Sequence, residues 1–292
     1  MRRIRAVAIL PTLFTLGNLV CGFFAIVVAS RIERAGELAP APSPALESLR
    51  DLRNSSDPTH NLMLCGGLIF LAMLMDMADG QVARMARATS DFGGQLDSLS
   101  DVVSFGVAPA ILLVKMCPQF TQLHREGIWA IAALFACCAA LRLARFNVET
   151  DEGDDHSTFQ GLPTPAAAAV IGSLAIFAYS LRNEINHEIF AGYDFWLQRL
   201  APLLAIGLAL LMVSRVPYPH VVTQLLRGQK SFPHLVAIVF TIAVLLAVRW
   251  YAVPALCLLY AFVPAAMHAW RRGLRKPALA SSAASRDVHR TG

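Results

Sequence analysis

Long apolar runs recur along almost the whole chain, and they constrain its fold more than any other feature. A helix needs about 20 apolar residues to cross the hydrocarbon core of a bilayer. Eight segments have the required length and composition: residues 8–30, 61–84, 95–115, 127–147, 164–181, 199–215, 233–250 and 252–270. Only 15% of the residues are charged, against about 25% in soluble domains. The sequence therefore predicts an all-α, polytopic membrane helix bundle.

The predicted bundle forms a single domain, residues 1–276, in which no internal repeat is visible. Residues 277–292 are poor in large apolar side chains and predict a disordered C-terminal tail. Basic residues stand at the ends of the apolar runs rather than in one patch, which argues against nucleic acid as a partner. Their distribution follows the positive-inside rule when both termini lie in the cytoplasm. We therefore expect a multi-pass protein of the cell (inner) membrane with both termini cytoplasmic.

Acidic residues interrupt this apolar pattern in one stretch, DMADGQVARMARATSDFGGQLDSLSD, which runs from Asp76 to Asp101. Four of its carboxylates form two helical pairs, Asp76 with Asp79 and Asp97 with Asp101. Residues three or four apart share a helix face. The intervening RATSDFGG (87–94) predicts a short turn, so the two helices are expected to be antiparallel neighbours. Their acidic faces then converge at the cytoplasmic side.

Four converging carboxylates repel one another and need a positive partner. Mg²⁺ and Mn²⁺ prefer hard oxygen ligands, and the small residues Gly80 and Ala83 leave room for a bulky ligand beside the carboxylates. The alternative is that the acids pair with arginines at the helix ends, namely Arg84, Arg87, Arg142 and Arg145. Ionisable groups inside membrane segments are usually functional, which favours the metal site.

The spacing of these residues resembles the signature of the CDP-alcohol phosphotransferase family. The matching pattern is Asp76-x2-Asp79-Gly80-x2-Ala83-Arg84-x8-Gly93-x3-Asp97-x3-Asp101. Further stretches resemble the integral-membrane phosphatidylserine synthases within that family: Pro11–Ile26, Ser98–Ala110, Arg142–Glu149 and Phe159–Ala169. The similar segments cover the first six predicted helices. The resemblance therefore implies a core of six helices.

The resemblance also implies a reaction, the transfer of a phosphatidyl group from CDP-diacylglycerol, a membrane lipid, to the hydroxyl of L-serine, giving phosphatidylserine and CMP. It implies two divalent ions, Mg²⁺ or Mn²⁺, and a homodimer. Asp101 would also take the proton from the serine hydroxyl, unless metal ions lower the pKa of that hydroxyl enough to leave a base little to do. The implied metal ligands are Asp76, Asp79, Asp97 and Asp101, and the implied nucleotide-side residues are Gly80, Ala83, Arg84 and Gly93.

An acceptor pocket is predicted at the cytoplasmic end of the fourth helix, where Arg142, Arg145 and Asn147 lie. Serine carries a carboxylate, and a guanidinium binds a carboxylate through two parallel hydrogen bonds. We expect at least one of the two arginines to select the acceptor, although both also fit a topology signal. Polar residues of the first helix, Thr15 and Asn18 among them, either reach this pocket or only bond neighbouring helices.

Two other functions fit parts of the pattern. The same chemistry with a different acceptor, such as glycerol-3-phosphate or inositol-phosphate, would also use basic residues near the site. A cation-coupled transporter would use the acids as an ion site, but such sites usually lie near the bilayer midplane within repeated halves. The acids here stand at a helix end in a chain without a visible repeat, which disfavours the transporter.

Overall fold

The computed structural model describes residues 9–32, 58–86, 91–117, 125–151, 159–184, 187–218 and 252–288. Its described elements are, in chain order, α1 (Ile9–Ser30), α2 (Pro58–Ala86), α3 (Asp91–Asp101), a π-helical segment (Val102–Val107), α4 (Ala108–Met116), α5 (Arg125–Asp151), β1 (Phe159–Gln160), α6 (Thr164–Glu184), α7 (His187–Val213), β2 (Pro217–Tyr218) and α8 (Ala252–Val288).

Seven membrane-spanning helical stretches occur within these described residues, which confirms the predicted all-α membrane bundle. They are Pro11–Ser30, His60–Val82, Phe92–Met116, Glu126–Val148, Thr164–Leu181, Phe195–Val213 and Ala252–Arg271. Each overlaps one of the predicted helices, and the third combines α3, the π-helical segment and α4. The remaining predicted helix, 233–250, lies outside the described residues. The protein is therefore a multi-pass membrane protein.

Small residues let the helices of the bundle approach closely, as is usual in membranes. Gly66 on α2 faces Gly172 on α6, and a Cβ added at Gly66 would lie 2.6 Å from the Gly172 carbonyl oxygen. Buried alanines fill much of the core, while large apolar side chains such as Leu13, Leu203 and Trp270 are exposed on the outside. This distribution suits a bundle whose outer surface faces lipid.

Some element boundaries differ from the sequence predictions. Helix α3 begins at Asp91, so Gly93 and Gly94 lie in its first turn rather than in the expected turn between helices. Helix α7 begins at His187, twelve residues before its apolar run. Helix α8 continues to Val288, into the segment predicted to be disordered. Alanine has the highest helix propensity, and the alanine-rich 278–284 stretch accounts for this extension.

Two short strands pair in the described chain: β1 lies between α5 and α6, and β2 lies between α7 and α8. Phe159 pairs with Tyr218, and Gln160 pairs with Pro217. Gly161 follows with φ +87°, and a Cβ there would lie 2.9 Å from the Ser214 carbonyl oxygen, so only glycine fits this backbone. Helix α6 then begins at Thr164, as the Pro163-Thr164-Pro165 sequence predicts.

Candidate metal centre and acceptor side

Three carboxylates converge, one from α2 and two from α3. Oxygen atoms of Asp76, Asp97 and Asp101 all lie within 4.8 Å of one another. The fourth predicted ligand, Asp79, lies outside that triad but close enough to interact electrostatically with Asp76 and Asp97. The structure thus brings one acid of the first pair together with both acids of the second pair.

Helix α1 supplies hydrogen bonds to one acid of each pair. The Thr15 hydroxyl bonds to Oδ2 of Asp79. The Asn18 side-chain amide donates to Oδ1 of Asp101 over 2.9 Å. Asp79 and Asp101 are also the two buried members of the cluster, each 7% exposed. The other two, Asp76 and Asp97, are half-buried and face the more open part of the site.

The donor set fits a divalent cation. Carboxylate oxygens are hard ligands of the kind that Mg²⁺ and Mn²⁺ select, and acids this close cannot all stay ionised without a compensating charge. One described cation is near: Arg142 interacts electrostatically with Asp76 and Asp101. The buried acidic triad is therefore consistent with a metal site.

The residues predicted to contact a nucleotide lie around this cluster. Gly80 is exposed, and a Cβ added there would meet no atom within 4 Å. Ala83 and Arg84 continue α2, but their side chains lie outside the described part of the structure. Gly93 is half-buried in the first turn of α3.

Arg142, one of the predicted acceptor residues, interacts electrostatically with Asp76 and Asp101. Its Nη1 donates to the Thr164 hydroxyl over 2.9 Å, and its guanidinium lies 5.8 Å from the centre of the Phe146 ring. Tyr260 of α8 also interacts with it electrostatically. Thr164 of α6 and Tyr260 of α8 are therefore two of the groups that surround the Arg142 guanidinium.

Arg145 and Asn147 have different neighbours. Nη2 of Arg145 donates to the side-chain oxygen of Gln160 over 2.7 Å. The Asn147 amide donates to the Ser98 hydroxyl over 2.9 Å, next to Asp97 in sequence. The structure thus brings Asn147 to the acidic helix and Arg145 to the strand pair.

Several residues around the arginines carried no sequence signal for their roles. Gln160 lies within the Phe159–Ala169 resemblance, which drew attention to the segment but not to this side chain. Tyr260 lies in a helix that shows only hydrophobicity. Tyr218 is 1% exposed, and its hydroxyl donates to the Ala261 carbonyl over 2.7 Å. Burial raises the pKa of Tyr218 to about 12, so this phenol remains a donor.

Curated proteins with similar sequences are named as enzymes that make a serine-containing lipid. The chain is 34% identical over 164 residues to a CDP-diacylglycerol–serine O-phosphatidyltransferase of Helicobacter pylori, covering 56% of this chain and 63% of that protein. It is 36% identical over 194 residues to one of Methanocaldococcus jannaschii, covering 66% and 79%. An archaetidylserine synthase of Methanothermobacter thermautotrophicus is 36% identical over 156 residues, covering 53% and 57%. The matched region is thus less than two thirds of the length of two of these three relatives.

The wider family match extends over nearly the whole chain. A model of the CDP-alcohol phosphatidyltransferase family matches residues 8–278, which include every element described above from Ile9 into α8. The match contains both acidic pairs and both arginines. The chain therefore belongs to the CDP-alcohol phosphatidyltransferase family.

Proposed function

We propose that this protein transfers a phosphatidyl group from CDP-diacylglycerol to the hydroxyl of L-serine, giving phosphatidylserine and CMP. The observation that carries the proposal is the convergence of Asp76, Asp97 and Asp101 from two neighbouring helices, in a chain that belongs to this family. The acceptor rests on relatives that are named for serine at 34% to 36% identity. The active site is proposed to face the cytoplasm, with both termini on that side.

The acids are proposed to hold two divalent ions, Mg²⁺ or Mn²⁺, with Asp76, Asp79, Asp97 and Asp101 as ligands. Such ions would neutralise the pyrophosphate and stabilise the charge that develops on the attacking and leaving oxygens. Arg142, held beside Asp76 and Asp101, adds positive charge on the same side. Charge stabilisation is the main demand of phosphoryl chemistry, so this arrangement suits the reaction.

Asp101 is proposed to take the proton from the serine hydroxyl. The hydroxyl oxygen then forms a bond to the lipid-side phosphorus, and the bond from that phosphorus to the CMP oxygen breaks. Burial of Asp101 at 7% exposure keeps bulk water away from the transferred proton. The Asn18 amide occupies Oδ1 of this carboxylate, which leaves Oδ2 without that bond.

The nucleotide is proposed to lie against the α2 helix at Gly80 and Ala83, with Arg84 at its phosphate and Gly93 across from it on α3. Open space beside Gly80 supports this placement, since any larger residue would fill part of it. A cytidine is flat and needs a surface with few side chains. Two small residues about one helical turn apart provide one.

Serine is proposed to bind between the acids and the two arginines. Arg142 faces the carboxylates of the metal centre, so it suits the phosphate groups or the inner side of the acceptor. Arg145 lies farther along α5 and is half-buried beside Gln160, so it suits the serine carboxylate. Asn147, bonded to Ser98, would line the same side. A phosphorylated acceptor would use the same two arginines, so the experiment must compare acceptors directly.

Purified protein incubated with CDP-diacylglycerol and Mn²⁺ or Mg²⁺ tests the proposal. Labelled serine should enter phospholipid with release of CMP, while labelled glycerol-3-phosphate should not. Incorporation of glycerol-3-phosphate in place of serine would refute the acceptor and leave the family chemistry. CMP release that persists in the presence of a strong chelator would refute the metal proposal.

Membrane orientation and a homodimer belong to the same proposal. Single cysteines placed near each end of the chain, in a background lacking the native cysteines, should react with an impermeant thiol reagent only in inside-out vesicles. Light scattering of the detergent-solubilised protein, corrected for bound detergent, should give twice the mass of one chain. Labelling from outside, or the mass of one chain, would refute the respective part.

A further inference from the structure

Two buried polar residues of α1 contact the acidic cluster. Thr15 is 3% exposed and bonds to Asp79, while Asn18 is fully buried and bonds to Asp101. The two residues are three apart and so share one face of α1. Asp79 belongs to α2 and Asp101 to α3. One helical turn of α1 therefore touches one acid on each of the two helices.

Helix α1 packs tightly against the π-helical segment at and just after this turn. The Ser104 hydroxyl, in the π-helical segment, donates to the Asn18 carbonyl oxygen over 2.9 Å. Gly22 packs on the same residue so closely that a Cβ would lie 2.7 Å from the Ser104 Cα. Short π-helical stretches frequently occur at functional sites, and this one begins directly after Asp101. The close contact holds the Asn18 amide opposite Asp101.

The bonding pattern of Asn18 differs from that of a residue kept only for packing. Its amide nitrogen is used on Asp101, but its side-chain oxygen is buried and has no hydrogen-bond partner among the described residues. An unsatisfied buried acceptor costs about 1–3 kcal/mol. An apolar side chain would avoid that cost, so the amide is explained better by what it does to Asp101 than by fold stability.

The four acids divide accordingly into two kinds. Asp79 and Asp101 are buried and each accepts a hydrogen bond from α1, whereas Asp76 and Asp97 are half-buried. A neutral donor fixes the rotamer of a carboxylate without cancelling its charge, which a lysine or arginine in the same place would do. Removing a side chain that hydrogen-bonds to a metal ligand typically lowers metal affinity 10- to 100-fold.

We propose that Thr15 and Asn18 are positioning residues that orient Asp79 and Asp101 for divalent-metal binding. The inference rests on the proposed function only in taking the acidic cluster as a metal site. It assigns α1 a role in the metal centre in addition to its membrane-spanning role. Asn18 has the larger effect, because it is the more buried residue and its partner Asp101 belongs to the convergent triad.

Direct binding of Mn²⁺ to the purified, metal-free protein tests this, because free Mn²⁺ gives an electron paramagnetic resonance signal that is lost on binding. Asn18→Leu has nearly the same shape without the donor, and its Kd for Mn²⁺ should rise about 10- to 100-fold. Thr15→Val should raise the Kd several-fold. Thr15→Ser keeps the hydroxyl, so its Kd should be close to that of the wild type. Ser180→Ala removes a buried hydroxyl that donates to the Ile176 carbonyl oxygen of its own helix, and this variant should bind Mn²⁺ like the wild type.

An Asn18→Leu protein with the wild-type melting temperature and a Kd within twofold of wild type would overturn the role of Asn18. If Asn18→Leu does not fold, the Thr15 pair decides: equal affinity of Thr15→Val and Thr15→Ser overturns the proposal, and recovery with serine supports it. Mn²⁺ binding and phosphatidyl transfer are measured in separate experiments. A wild type that binds Mn²⁺ but releases no CMP refutes the proposed function, while the variants' affinities still support or overturn the positioning role.

Discussion

The acidic and basic sides of the site are built in different ways. The acids come from one stretch of 26 residues, Asp76 to Asp101, on two neighbouring helices. The arginines both come from α5, but their hydrogen-bond partners Gln160 and Thr164 lie on β1 and α6. The acidic side is thus defined by local spacing. The basic side depends on how distant parts of the chain pack.

This difference separates two kinds of function. A cluster with fixed helical spacing suits chemistry that every member of a family performs, such as holding ions at a pyrophosphate. A pocket assembled from loops and strand pairs can change one partner at a time. We therefore expect substitutions of the acids, and of Arg142 near them, to lower transfer with any acceptor. Substitutions at Arg145 and Gln160 should alter which acceptor is used and how well.

The largest effect is expected from Asp97→Ala. It removes a member of the carboxylate triad, and losing one element of electrostatic stabilisation in an active site costs roughly 100- to 1000-fold in rate. CMP release should fall by that factor at saturating substrates, and Mn²⁺ binding should weaken in parallel. Glu126→Gln, an exposed acid at the other end of α5, serves as the control. Unchanged CMP release by Asp97→Ala would show that the acids are not a metal site.

Arg142→Ala should have the next largest effect. The guanidinium interacts electrostatically with Asp76 and Asp101 and donates to the Thr164 hydroxyl, so its loss should lower kcat about 10- to 100-fold, the range for a hydrogen bond to a charged group. Because Arg142 touches the acidic side, the loss should be similar with every acceptor tested. Steady-state rates against serine and CDP-diacylglycerol measure it, with the exposed Arg215→Ala as control. A change confined to serine KM would instead assign Arg142 to the acceptor pocket.

The features that the sequence predicts are the ones that depend on local spacing. Hydrophobic length predicts the membrane helices because each crossing must satisfy its backbone internally, and seven of the eight predicted helices lie in the described chain. The convergence of Asp76, Asp97 and Asp101 follows from helical phase and a short connection. Both are local properties. The number of ions and their identity stay a prediction.

Contacts between distant segments carry no such local signal. Nothing in the spacing around Gln160 or Tyr260 indicates that either lies near an arginine of α5. The hydrogen bonds of Thr15 and Asn18 to the acids depend on the approach of α1 to the π-helical segment, which periodicity does not predict. Glycine disfavours helices, so the sequence predicts that Gly93 and Gly94 lie in a turn. In the structure helix α3 begins earlier, and both glycines lie in its first turn.

Arg145→Ala should change acceptor binding more than chemistry. Its guanidinium donates to Gln160 of the strand pair, so serine KM should rise about 10-fold or more, with the KM for CDP-diacylglycerol and the kcat nearly unchanged. Arg145→Lys should recover only part of the loss, since an ammonium cannot make two parallel bonds to a carboxylate. An unchanged serine KM in Arg145→Ala would remove this residue from the pocket.

The smallest effect is expected at Gln160, because it acts through Arg145. The amide oxygen accepts from Nη2 over 2.7 Å and sits in the strand pair opposite Pro217. Gln160→Ala should raise serine KM about 2- to 10-fold, the range for one typical hydrogen bond, because the Arg145 charge itself is kept. Gln160→Glu should raise it further, because a carboxylate there would pair with Arg145 and compete with that of serine. If both variants lowered kcat and left serine KM unchanged, the basic side would be part of the catalytic charge balance rather than a separate acceptor pocket.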